Sequence, residues 1–93
     1  MPTYILLGTL TEEGASYLHA HPEWVEEVKQ DLAKSGVEIT AQYAVLGPYD
    51  VVTVVEAPDN HSMVHVSTQL TLHGVIKITT LPAIDMEDFI ASL

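Results

Sequence analysis

The stretch that most constrains this chain runs through its centre, from Val37 to Ala57. Val37, Ile39, Ala41, Tyr43 and Val45 alternate with Glu38, Thr40, Gln42 and Ala44. A period of two belongs to a β-strand with one buried face and one face that is open or shared. Gly47-Pro48-Tyr49-Asp50 follows, with proline where a type I or II turn wants φ near −65°. Val51 to Ala57 then reads Val-Val-Thr-Val-Val-Glu-Ala. A strand apolar at nearly every position belongs in the middle of a sheet. The two strands form a hairpin.

The flanking segments supply the other elements. Thr3 to Leu10 is an apolar run rich in Tyr, Ile and Leu, long enough for a strand and too short for a helix. Thr11-Glu12-Glu13 reads as an N-cap followed by acids that suit the helix dipole, and a looser turn is expected from Glu12 to Ala20. Pro22 fits the first turn of a helix, where its missing N–H costs nothing. Val25, Val28 and Leu32 recur at helical spacing and Gly36 fits the left-handed end position, so a helix is expected from about Pro22 to Ser35. Asp59 or Asn60 caps a second helix to about His73, with Met63, Val66 and Leu70 on its inner stripe and Gly74 at its end. Its Thr, Ser and Val content makes it a weak helix former that packing must hold. Val75 to Leu81 is a fourth strand stopped by Pro82, and Asp85 caps a short terminal helix with Phe89, Ile90 and Leu93.

The order β-α-β-β-α-β plus a C-terminal helix makes residues 1–93 a single α+β domain. A ferredoxin-like sandwich, one antiparallel four-stranded sheet with two helices on one face, solves the burial problem for this order. The other face is left uncovered. Its expected lining of Thr40, Gln42, Ala44, Lys77 and Thr79, with alternate valines of the third strand, mixes polar and apolar groups. Leaving such a patch in water is uncommon for a monomer. A homo-oligomer packed sheet to sheet would cover it and enclose a cleft.

Charge narrows the choice of partners. Thirteen acidic residues face three lysines (Lys29, Lys34, Lys77) and no arginine, for a net charge of −10. Neutralising phosphates needs clustered Lys or Arg, so nucleic acid and anionic membranes are poor partners. Without the arginine fork, a CoA thioester or nucleotide would depend on backbone amides and a lysine. The absence of cysteine excludes disulfides and thiolate chemistry and suits the cytoplasm. No apolar run approaches the roughly 18 residues of a bilayer span, and Met1-Pro2-Thr3-Tyr4-Ile5 lacks the basic region of a signal peptide.

At Gly47-Pro48-Tyr49-Asp50 the chain resembles the GYD domain family, named for a Gly-x-Tyr-Asp turn between the hairpin strands. The likeness extends to Met1-Pro2-Thr3-Tyr4, Thr11-Glu12-Glu13-Gly14, Pro22, Asp50-Val51-Val52, Glu56-Ala57-Pro58-Asp59 and Thr79-Thr80-Leu81. It implies a ferredoxin-like subunit of a dimeric α+β barrel, without implying a reaction. The lack of arginine and the histidine content depart from what relatives are expected to carry, so a ligand reading built on basic residues would not transfer. A weaker likeness is to the effector-binding domain of leucine-responsive regulators, through the same turn and Gly74-Val75. Those domains bind small amino acids at a subunit interface. With no DNA-binding helices ahead of the domain, that reading implies a stand-alone sensor.

Five residues are candidates for ligand binding: Tyr49, Asp50, Lys77, Gln42 and Thr40. Tyr49 and Asp50 can line the mouth of the cleft and bind or relay a proton, although turns also favour such residues for structural reasons. Lys77, placed on the open face by alternation, can anchor a carboxylate ligand or form a salt bridge across the dimer. His61 and His65 share one side of a helix at metal-ligand spacing, but two ligands are too few for a closed site and no metal is expected. His19 and His21 read as loop residues. Trp24 and the four tyrosines read as core or interface packing before an aromatic pocket, and the acidic run Glu23 to Asp31 as a solvated helix face.

The half-polar open face and the lack of a convincing catalytic set support a small-molecule binding or sensing module with its ligand in or near the inter-sheet cleft, and no cofactor is expected. The alternatives are a cofactor-independent enzyme of the oxygenase or isomerase type, using Tyr49, Asp50 and a histidine, or a structural interaction subunit whose Phe89-Ile90-Leu93 tail reaches over a neighbour. Whether the chain is an enzyme stays open at this level.

Overall fold

Eight elements follow one another along residues 1–93 of the computed structural model. They are β1 (Thr3–Leu10), α1 (Glu12–Ala20), α2 (Trp24–Lys34), β2 (Glu38–Ala44), β3 (Val51–Glu56), α3 (Asn60–Leu72), β4 (Ile76–Ala83) and α4 (Met86–Ala91). The strands form one antiparallel sheet in the order β2-β3-β1-β4. This is the ferredoxin-like α+β arrangement, with the two most apolar strands, β1 and β3, at its centre.

Alternation along the central strands sends Tyr4, Leu6 and Val55 to the helix side. There they meet Met63, Val66 and Leu70 of α3 and Leu32 of α2 in one core cluster. The Tyr4 hydroxyl donates to Asn60 Oδ1 at 2.6 Å, so the buried ring ends on a partner. The Asp59 carboxylate caps α3 by accepting the Ser62 N–H at 2.9 Å. That hydrogen bond, joined by one from the Ser62 side chain, holds the Asp59 carboxyl below the usual carboxylate range.

Three expectations need correction. The segment Glu12–Ala20 is a regular helix, not a looser turn. Thr11 Oγ1 accepts the Gly14 N–H at 2.8 Å, and buried Gly14 lets α1 lie directly on the Val75 carbonyl. Pro82 does not stop the last strand, which runs on to Ala83. β4 is an edge strand, where a proline whose N–H would point to solvent costs no ladder bond.

The third correction changes the faces. The register slips between Ile39 and Ala41, so that Ile39 stands opposite Val55 and Ala41 opposite Val54. Thr40 is the extra residue of this bulge, and its hydroxyl donates to the Val54 carbonyl at 3.2 Å. Beyond a bulge every side chain changes side. Gln42 therefore stands opposite Thr53, on the helix side, while Ala41 and Tyr43 take the open face that alternation had assigned to Gln42 and Ala44.

No helix covers that open face, and the tail does not fold back over it. Leu81 is 41% exposed, and α4 buries none of its residues. The chain exposes 6355 Å², against about 5,300 Å² for a finished monomer of 10.2 kDa. Its radius of gyration is 13.8 Å, where about 12 Å is usual for this length. The excess of about 1,000 Å² is close to what one partner contributes to a stable interface.

Candidate functional site

The hairpin turn is stitched to the end of β1. The Asp50 carboxylate accepts the Leu10 N–H at 2.9 Å, the Asp50 N–H donates to the Gly8 carbonyl at 2.8 Å, and the Asp50 carbonyl accepts the Val45 N–H at 3.0 Å. Asp50 thus closes the β1–β3 ladder where it opens into the turn. Tyr49 beside it is half-buried. Lys77 stands opposite Thr9 on the far side of β1, so Asp50 and Lys77 occupy the same end of the sheet, about 10 Å apart across two strand spacings. The Lys77 side chain is exposed and forms no ion pair, the paired lysine being Lys34, with Asp31.

Gln42 lies elsewhere. Its Nε2 donates to Thr53 Oγ1 at 3.2 Å, and both residues line an apolar cavity of about 50 Å³ between the sheet and α2. Trp24, Val28, Leu32 and Ile78 supply its hydrophobic walls, and no charged group does. The structure thus separates the five candidates: Tyr49, Asp50 and Lys77 toward one end of the sheet, Thr40 in the bulge, and Gln42 behind it.

The open face is the larger feature. Pairing places Ala41, Val54, Ile5 and Leu81 in one row across the four strands, and Tyr43, Val52, Leu7 and Thr79 in the next. Polar groups bound these rows. Thr9 and Lys77 lie at one end, and Glu38, Glu56 and Thr3 at the other. An apolar centre with a polar rim is the anatomy of a protein interface. Sequence reasoning missed Ile5, Leu7 and Leu81, although their apolar character at alternate positions of a strand with a buried opposite face was a usable signal.

The other candidates stay apart. Tyr4 is in the core, Tyr17 rests near His21 with ring centroids 4.6 Å apart, and Tyr43 is on the open face, so the aromatics form no single pocket. All five histidines belong to α1 and α3 or their ends, and His61 and His65 gain no third ligand of a metal-binding kind. No helix is long and apolar enough to cross a membrane.

A family model described as GYD domain matches residues 4–93. A Thermus thermophilus protein named glutamine synthetase and cystathionine beta-lyase binding protein is 49% identical over 94 residues, spanning 100% of this chain and 99% of that one. A further likeness is to the crystal structure of a Thermus thermophilus protein. It has a TM-score of 0.57 and 28% identity, covering 90% of this chain and 94% of that one.

Proposed function

This chain belongs to the GYD domain family, and from that premise we propose that it is a cytoplasmic interaction module that binds metabolic enzymes as a homo-oligomer. The observation that carries the reading is the uncovered sheet face, two apolar rows wide with charged ends. Two copies meeting there form a dimeric α+β barrel and cover the excess surface. Their helix layers then point outward. Glu23, Glu26, Glu27 and Asp31, at the start of α2 and along it, outnumber its Lys29 and Lys34, and this net negative charge, like that of the whole chain, suits a basic patch on a partner. The relative named for binding glutamine synthetase and cystathionine beta-lyase supplies the first two candidate partners.

The test is biolayer interferometry of the purified chain against the glutamine synthetase and cystathionine beta-lyase of its own organism. Saturable binding to either enzyme at micromolar concentration or below, weakened by salt, is expected. No response from either enzyme at about 100 μM, a free energy near −5.5 kcal/mol, overturns the reading.

A second reading, a small-molecule site, is favoured by the cavity beside Gln42 and Thr53. That cavity lies on the helix side of the sheet and is lined by none of Tyr49, Asp50, Thr40 and Lys77, so of the five candidates this reading uses Gln42 alone. Native mass spectrometry of freshly purified protein separates the readings, since a retained neutral adduct supports the second and a bare chain mass opposes it.

A further inference from the structure

The open face carries one cation, at one corner. Lys77 lies on β4, at the turn end of the sheet, and no carboxylate of its own chain pairs with it. The diagonally opposite corner carries a like-charge pair. Glu38 and Glu56 stand directly opposite each other on β2 and β3, and neither meets a cation. Two carboxylates facing one another across strands are destabilising by themselves. Six residues along the strands and two strand spacings across them put the corners about 22 Å apart. Lys77 therefore cannot neutralise these acids within one chain.

We propose that Lys77 of one copy pairs with the Glu38–Glu56 corner of a second copy. The proposal rests on the homo-oligomer reading above and specifies its register. Two sheets that meet face to face under a two-fold axis make a self-complementary interface, in which residue i meets j and j meets i. When that axis lies between the sheets at right angles to the line joining the two corners, it exchanges them. Each Lys77 is then set over the partner's acids. The strands of the two sheets cross at roughly 50–70°, between the aligned and orthogonal classes of sheet packing, and the apolar rows meet in the middle. The arrangement also answers a problem of charge. Two copies at −10 each repel, and two symmetric ion pairs at the rim offset that repulsion where the chains touch. Specificity follows as well, because turning the two-fold axis by a right angle, onto the line joining the corners, sets acids over acids and Lys77 over Lys77.

Charge reversal in trans tests this. Lys77→Glu and Glu56→Lys are made separately, and folding of each is checked by circular dichroism and thermal unfolding. Sedimentation and native mass spectrometry then follow the assembly. Each single variant is expected to dissociate at least about tenfold more readily than the parent. Mixing the two variants should restore assembly as a heterodimer. Position 77 of the Lys77→Glu chain then meets position 56 of the Glu56→Lys chain with opposite charges, while the second chain's native Lys77 meets the first chain's native Glu56. An effect confined to one chain cannot be rescued by another. If the parent assembles but the single variants assemble equally well, or mixing fails to rescue them, the register is wrong and the homo-oligomer stands. A monomeric parent overturns both.

Discussion

Replacing Gly14 with alanine sets two effects of opposite sign against each other. In an exposed helix interior alanine is better than glycine by about 1 kcal/mol. Gly14 is not exposed. A Cβ built there meets the Val75 carbonyl oxygen and carbon, and lies 2.8 Å from Thr11 Oγ1. Two of these three atoms are backbone, so no rotamer change relieves the overlap and α1 must back away from the start of β4. That movement takes the Thr11 N–H from the Val75 carbonyl, 3.1 Å away, and the Thr11 hydroxyl from the Gly74 carbonyl, 2.7 Å away. Two hydrogen bonds at about 1 kcal/mol each cancel the propensity gain, and the lost contact between α1 and β4 adds to the deficit. The expected outcome is net destabilisation of about 1–3 kcal/mol, a fall in Tm of roughly 5–20 °C for a domain of this size. Thermal unfolding by circular dichroism measures it, with exposed Ser16→Ala in the same helix as a control expected to stabilise by a few tenths of a kcal/mol. A Gly14→Ala protein that unfolds at or above the parent temperature would refute the close approach of α1 to Val75.

Other outcomes follow from the same structure. Met63→Ala, emptying a side chain that is 2% exposed, should cost about 2–5 kcal/mol in urea unfolding at unchanged m-value. Leu7→Lys, in the second apolar row of the open face, should leave the fold intact and give a monomer by light scattering. An unaltered dimer would show that the chains meet elsewhere. The Asp59 carboxyl, held below its usual range by Ser62, contributes stability above its unfolded pKa of about 3.9 that disappears as pH falls through the lower folded value. Asp59→Asn, which caps equally well without titrating, should flatten that acid loss in denaturation series while changing little near neutrality.

The fold was legible because its signals are local. Period-two runs marked the hairpin, Gly36 and Gly74 marked helix ends, and both glycines do adopt positive φ. α1 was under-read because its glycine, ordinarily a weakness in a helix, is used for contact with a strand about 60 residues away in sequence. The bulge at Thr40 was beyond reach for a different reason. A bulge is a property of two paired strands, and β2 alone shows unbroken alternation. One extra residue reverses every side chain that follows, which is why Gln42 appears behind the sheet and Tyr43 in front of it.

The open face was more readable than the five chosen residues suggest. Consecutive residues of a strand point to opposite sides, so Tyr4-Ile5-Leu6-Leu7 in β1 and Val52 to Val55 in β3 each place apolar side chains on both faces of the sheet. The helices supply one cover. α4, which follows β4 after Ile84 and Asp85, does not supply the other, since it buries none of its residues. Central strands apolar at both parities, in a chain with helices enough for one layer, therefore call for an outside surface to complete them. Charged residues could not reveal this, because Lys77, Glu38 and Glu56 mark the rim of the face and acquire meaning from the apolar rows between them.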